Sequence, residues 1–418
     1  MSENGNLPGN PRTTKLPWAV LGIIVVIGLL TLWPNPRQAQ LSATTAFTCL
    51  PCGPSGLSDL LRNIVLFIPL GLGLGMRGTG LGSALLISLA VTGSVEFLQY
   101  AVVPGRDASL ADIVANSLGG LLGAWLGRRG MGILFMRPRA AAVVTVAWAT
   151  LGVLAIGLMG WSLPSSLPRG TWYGQWAPFG DEPEWFTGDV IEVTLGRRRL
   201  PHWRLADSET RRRELAEDTL RLTARVVSML PPPDALRIVA LADSNERLVS
   251  LSQGERDLGF AVRTKAALIS LNTPYFVRRD VMPPLAGDTV IVEGTYWRGH
   301  ATVNGSPLEL SALDGWSLIV PATVGSAAAV LVTIAWLAAL FAPIGWYGGQ
   351  VPSSGWAAAP VLVLLSHVVL MARLGGTPLP ASWEVAIAAL AAFGGRVAFA
   401  AVESAVEGGE RKKTRPTA

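Results

Sequence analysis

Histidine and cysteine are almost missing from this chain, with three of the first and two of the second in 418 residues. Zinc takes about four nitrogen or sulfur ligands, and His202, His300 and His367 show no ligand spacing to Cys49 and Cys52. No metal and no cofactor are expected. Charge is scarce as well: Asp, Glu, Lys and Arg make up 15% of the residues against a hydrophobic share of 50%, and mean hydropathy is +0.41. Soluble domains carry about 25% charged residues, so this balance excludes an ordinary soluble domain and calls for lipid as solvent. Also missing are a Ser-His-Asp set and a nucleotide-binding motif, which leaves a hydrolase without its usual nucleophile or activated water.

What the chain has instead is a series of apolar runs of roughly 18 residues or more, the length that crosses a ~30 Å hydrocarbon core. Eight are expected, at about 17–34, 59–76, 82–103, 109–127, 139–160, 316–341, 356–372 and 382–402. Basic residues in short loops stay on the cytoplasmic side. Arg12 and Lys15 precede the first run, Arg128, Arg129, Arg137 and Arg139 follow the fourth, and Arg411, Lys412, Lys413 and Arg415 close the chain. With eight spans all three groups fall on one side. The expectation is an α-helical polytopic protein of a plasma or inner membrane, both termini cytoplasmic, with an all-β, jelly-roll-like sandwich inserted outside. Its parts are a tail (1–16), a first membrane group (17–160), the extracytoplasmic domain (161–315), a second membrane group (316–403) and a basic tail (404–418). The net charge of +5 sits in the tails and inner loops, where it meets anionic headgroups; nucleic acid is not an expected partner. The first run lacks a small-residue cleavage site and reads as an uncleaved anchor.

Residues 161–315 carry short alternating stretches at 189–195, 220–230, 235–241, 246–254, 258–264, 289–297 and 301–310, with Gly, Asn and Pro between them. This rhythm predicts an antiparallel sandwich, and Asn304-Gly305 predicts a two-residue hairpin turn. The stretch 207–220, rich in Arg and Glu, predicts a short solvated helix or an exposed loop. The aromatic run TWYGQWAPFGDEPEWF (171–186) fits either packing on the sandwich or sugar stacking, since aromatic faces serve both.

Polar residues of the first membrane group collect at one depth. Asp59, Arg62 and Asn63 share a helical face at i, i+3 and i+4; Glu96 and Gln99 follow at i, i+3; Ser109, Asp112 and Asn116 repeat the spacing, and the VPGRDAS turn between carries Arg106. Ionisable groups inside spans cost roughly 2.5–3.5 kcal/mol each at mid-helix and face a bundle interior or wet cavity. The same pattern also fits interfacial groups that satisfy one another and hold three helices in register. Cys49 and Cys52, in the first outer loop, fit a structural disulfide in an oxidising compartment or a redox pair, although no thioredoxin-like context accompanies them. His367, Glu384, Arg396 and Glu403 in the second membrane group read as packing, snorkelling or interfacial residues without a role.

The stretches DLLRNIVLFIPLG and EFLQYAVVPGRDASLADIVANSLGGLLG, over 59–123, resemble the VanZ-like membrane protein family: an Asn before an LF-P-LG run, Glu-x-x-Gln, a PGR turn, then Asp-x-x-x-Asn leading into a Gly-rich helix. Asn63, Pro69, Gly71, Glu96, Gln99, Arg106, Asp112, Asn116 and Gly119 occupy that pattern, and CLPCGPSGLSD looks like the Cys-x-x-Cys loop of some members. Residues 247–264 and 287–310 resemble the Gly-rich strand pairs of a concanavalin A-like or laminin-G-like sandwich. The first resemblance implies a cell-envelope protein associated with low-level glycopeptide (teicoplanin) resistance; the second implies glycan or protein recognition.

Three functions remain open. One is a binding protein in which Asp59, Arg62, Asn63, Glu96, Gln99, Arg106, Asp112 and Asn116 hold the headgroup of a lipid or lipid-linked cell-wall precursor, the arginines through charge-assisted bonds, while the outer domain meets an envelope glycan or partner. A second is a membrane enzyme on such a substrate, with Glu96 and Asp112 as catalytic acid and base. The third is an anchor for the outer domain. The expectation leans away from an enzyme.

Overall fold

The computed structural model describes residues 16–32, 55–103, 109–177, 184–244, 246–352 and 355–413. Cys49, Cys52 and Arg106 lie outside them. Among the described residues, seven helices are long and apolar enough to cross a membrane, and Trp18–Thr31 adds a shorter apolar one. The contacts divide the chain into two units, Met1–Phe135 and Met136–Ala418.

The first unit contains α1 (Leu16–Thr31), α2 (Gly56–Met76), α3 (Leu81–Val102) and α4 (Leu110–Arg129). Phe67, Leu70 and Leu74 of α2 form its apolar core with Val20 and Ile27 of α1, Ala84 of α3 and Ala124 of α4. Lipid supplies no hydrophobic drive between helices, so close packing of small residues does the work. Gly71 and Gly75 of α2 lie against the backbone of Gly120 and Ala124, while Gly119, Gly123 and Gly127 of α4 lie against the backbone at Ile64, Ile68 and Leu72. The register advances in the same direction on both helices, so α2 and α4 run parallel, and α3 returns between their ends. Pro69 sits inside α2, where neighbouring helices can absorb its missing bond.

The second unit begins with α5 (Pro138–Ser162), continues through the β domain and ends in α7 (Ala327–Gly349), α8 (Gly355–Gly375) and α9 (Ser382–Lys413). Helix α5, grouped above with the first membrane set, packs here: Ile156 joins Leu337, Phe341, Ile344, Leu364 and Val368 in one core. The sixth apolar run starts later than its composition suggests. Residues 315–318 form a short 3-10 turn, Pro321 then cannot donate to a helix, and α7 begins only after Ser326, whose Oγ accepts the Ala329 amide as an N-cap.

The β domain is two six-stranded antiparallel sheets, in the orders β4-β1-β6-β7-β8-β9 and β12-β11-β10-β5-β2-β3. Its strands are β1 (Trp172–Trp176), β2 (Val190–Leu195), β3 (Arg198–Arg199), β4 (Trp203–Leu205), β5 (Leu220–Val227), β6 (Leu236–Ala242), β7 (Arg247–Gly254), β8 (Asp257–Val262), β9 (Tyr275–Arg278), β10 (Thr289–Trp297), β11 (His300–Val303) and β12 (Ser306–Glu309). Alternation places Leu222, Ala224, Phe260, Phe276, Val292 and Tyr296 between the sheets, all buried. A Cβ at Gly294 would lie 2.3 Å from the Phe260 ring, so only glycine leaves that ring its place. The expected stretch 301–310 is a hairpin, β11 and β12, turned by Asn304 and Gly305 at φ 45° and 75°. These values suit the mirror-image turn that matches strand twist. Residues 208–217 form helix α6 (Ser208–Glu217). It is not wholly solvated, because Arg211 is buried and donates to the Leu195 carbonyl at 3.1 Å.

Candidate functional site

The close approach of α2 and α4 fixes the end of the first unit at which both helices begin and α3 finishes. Asn63 of α2 donates through Nδ2 to Asp112 Oδ1 of α4 at 2.5 Å. The Ser109 amide, just before α4, donates to Glu96 Oε2 of α3 at 2.8 Å, and Asn116 Nδ2 donates to Thr92 Oγ1 at 2.8 Å. Gln99 Nε2 donates to the Thr31 carbonyl of α1 at 2.9 Å. Seven of the eight expected residues therefore stand at this end. Asn63, Glu96, Gln99, Asp112 and Asn116 tie helices together, while Asp59 takes Arg62 as an ion pair within α2, both half-exposed. Arg106 falls in the segment outside the described residues.

Burial distinguishes the members. Glu96, Gln99 and Asn116 are buried, at 4%, 7% and 2% exposure, and a buried carboxylate needs partners to offset its lost hydration. Glu96 has one hydrogen bond in this set, from an amide. Asn116 Oδ1, Ser88 Oγ and Ser117 Oγ are buried with no partner among the described residues. Such atoms are rare in native interiors. The site thus offers carboxylate acceptors from Glu96 and Asp112, a free amide oxygen from Asn116 and hydroxyls at greater depth. No group of three metal-ligating side chains occurs among the described residues.

Ser88 and Thr92 were not expected in the site. Their signal was present: Ser88, Thr92, Glu96 and Gln99 follow one another at intervals of four, four and three and form a single buried polar stripe on α3. Short hydroxyl side chains are common in apolar helices, so the stripe reads as unremarkable until Glu96 and Gln99 are added to it.

A second buried polar group lies in the other unit. Asp314 and Glu384, 4% and 7% exposed, share Ser311: its amide donates to Asp314 Oδ2 at 2.8 Å and its hydroxyl to Glu384 Oε2 at 3.3 Å. Trp316 Nε1 donates to Asp314 Oδ1 at 3.2 Å. Burial pushes the Asp314 carboxyl up to about 6, against the opposing hydrogen bonds. Glu384, expected to be interfacial, is enclosed where α9 starts, because the 311–316 loop folds over it. The aromatic run is largely core: Trp172, Trp185 and Phe186 are buried, with Arg237 stacked 4.9 Å from the Trp185 ring.

Residues 19–135 match the family model VanZ/LLP1. The matched stretch ends where the first structural unit ends, at Phe135, and it contains every described member of the polar cluster. No curated protein and no solved structure matches the chain.

Proposed function

We propose that the polar ends of α2, α3 and α4 form a binding site for the headgroup of a lipid or lipid-linked cell-wall precursor at the outer face of the membrane. The observation that carries this reading is the buried set Glu96, Gln99 and Asn116, with the Asn116 amide oxygen unpartnered inside it. A purely structural clamp would be expected to satisfy its own polar atoms. The basic residues at 12–15, 128–139 and 411–415 support placing this end outside, given eight spans with α1 as the first. In this account Arg62 and Arg106 meet phosphate or carboxylate, Glu96 and Asp112 meet ammonium or hydroxyl groups, and Asn63, Gln99 and Asn116 orient the headgroup. The β domain, read as concanavalin A-like from its strand pattern alone, serves glycan or partner recognition in the envelope. The resemblance to a family linked with glycopeptide resistance supports an envelope ligand.

Native mass spectrometry of the protein released from its own membrane tests the reading. Wild type should carry a specific lipid or lipid-linked glycan that Arg106→Ala and Asn116→Ala lose. Equal occupancy in all three would remove the site. If the purified protein converts the bound species, Glu96→Gln should abolish turnover while keeping affinity, and the enzyme reading would replace the receptor reading.

A further inference from the structure

A second site lies at the edge of the β domain, outside everything assigned above. A cavity of about 240 Å³ opens there, lined by Asp257 and Gly259 of β8, Tyr275 and Val277 of β9, Arg279, and Thr323, Gly325 and Ser326 on the way to α7. The register explains its shape. Gly259 and Val277 are paired on adjacent strands, on the face turned away from the core, and a Cβ at Gly259 would lie 2.1 Å from the Tyr275 hydroxyl. Glycine there lets the tyrosine lie flat across the sheet, where Ser252 Oγ holds its hydroxyl at 3.0 Å. The ring forms a floor, and the segment from Thr323 to Ser326 forms a wall, pinned by the parallel bridge of Val324 to Phe276.

Three observations define what would enter. The first is depth. Ser326 lines the cavity, and the next residue begins α7, a helix able to span a membrane. Consecutive Cα atoms are about 3.8 Å apart, and the headgroup layer on each side of the hydrocarbon core is roughly 5–8 Å thick. With α7 read as a span, the Ser326 wall of the cavity stands at the headgroup layer, whichever way the chain is oriented. The second is charge. Arg279 is exposed and has no side-chain partner among the described residues, unlike Arg256, which pairs with Asp280 at 3.1 Å. Beside Arg279 on the neighbouring strand, where Leu258 pairs with Arg278, Asp257 keeps one carboxylate oxygen on the Asp280 amide at 3.1 Å and has its other oxygen to offer. The third is size and lining: glycine, tyrosine and hydroxyl walls suit a small polar group and not an acyl chain. The first turn of α7 is already capped by Ser326, so the anionic contact falls to Arg279.

We propose that this cavity binds a phosphoethanolamine headgroup carried by a phospholipid, with the phosphodiester on Arg279 and the primary ammonium on Asp257. A choline headgroup cannot donate a hydrogen bond to Asp257, and a glycerol headgroup brings no cation to it.

The test uses the full chain in nanodiscs of phosphatidylcholine containing a minority of phosphatidylethanolamine or of phosphatidylglycerol, with retained lipids counted by native mass spectrometry. Wild type should retain phosphatidylethanolamine in preference to both others. Arg279→Ala should lower that retention roughly tenfold, the equivalent of about 1.4 kcal/mol, and Arg279→Lys should restore most of it. Asp257→Asn should bring phosphatidylethanolamine and phosphatidylglycerol to parity. The effect of Arg279→Ala should persist in an Arg106→Ala background, which separates the cavity from the site on α2 to α4. Equal retention by wild type and Arg279→Ala, or no preference in wild type, would overturn the proposal. Binding of soluble O-phosphoethanolamine at Arg279 without retention of the lipid would overturn its assignment to a membrane lipid.

Discussion

The glycine seam between α2 and α4 makes the sharpest prediction. In Gly71→Ala the new methyl would sit 1.9 Å from the Gly120 carbonyl oxygen, 2.7 Å from its carbon and 2.8 Å from the Ala124 nitrogen. All three are backbone atoms, so no side chain can rotate away. Ordinary contact begins near 3.4 Å, and the helices must part locally by about 1.5 Å to reach it. That displacement would carry the Asn63–Asp112 hydrogen bond, 2.5 Å long, beyond hydrogen-bond range. Overpacking of a well-filled site costs about 1–3 kcal/mol, and the lost bond adds about 1 kcal/mol. Gly93 of α3 supplies the control, because its Cβ would meet nothing within 4 Å. Thermal unfolding in detergent should show Gly71→Ala well below wild type and Gly93→Ala equal to it or slightly above, since alanine favours helix. Equal midpoints for the two variants would refute the argument that this seam sets the geometry of the polar site.

Other consequences are more local. Trp172→Ala empties a fully buried position and should cost about 3–5 kcal/mol, while Trp203→Ala, at an exposed position, should change stability little; unfolding of the two variants compared by tryptophan fluorescence decides it. Asp314 predicts a pH effect. Its folded pKa is raised from 3.8 to about 6, so the folded state holds the proton more tightly than the unfolded chain. Stability from this group is therefore present at low pH and declines as pH rises from about 4 to 6. Asp314→Asn should flatten that decline in a thermal-shift series, and an unchanged slope would contradict it. Asn63→Ala leaves Asp112 without its 2.5 Å donor and should weaken both stability and lipid retention, whereas Asn63→Asp, which sets two carboxylates together, should be worse than alanine.

The apolar runs and the alternating stretches carried most of the fold in the sequence. Helix length follows from run length, and strands β2, β5, β6, β7, β8 and β10 fall on expected stretches; β2, β5, β7 and β10 alternate between a buried and a more open face, while β6 and β8 are almost continuously buried. The short strands β3, β4 and β9 have too few residues for alternation to register. The late start of α7 was hidden because Trp316, Leu318 and Ile319 are as apolar as a span, although Trp316 packs on Asp314 inside the domain margin. In the candidate site, charged and amide residues stood out against an apolar background, and their spacing put them on shared helix faces. Ser88 and Thr92 did not stand out, because hydroxyls blend into membrane helices. Glu384 could not be read as buried, since its enclosure depends on a loop more than 65 residues earlier in the chain, and long-range contacts leave no local pattern.

The most direct test of the headgroup account is a high-resolution density map of the protein in nanodiscs of native lipid, with an antibody fragment bound for size. The account predicts headgroup density within hydrogen-bond reach of Glu96, Asn116 and Asp112, lost in Asn116→Ala. Density filled only by the protein's own side chains and water would contradict it, leaving those residues as a clamp between helices.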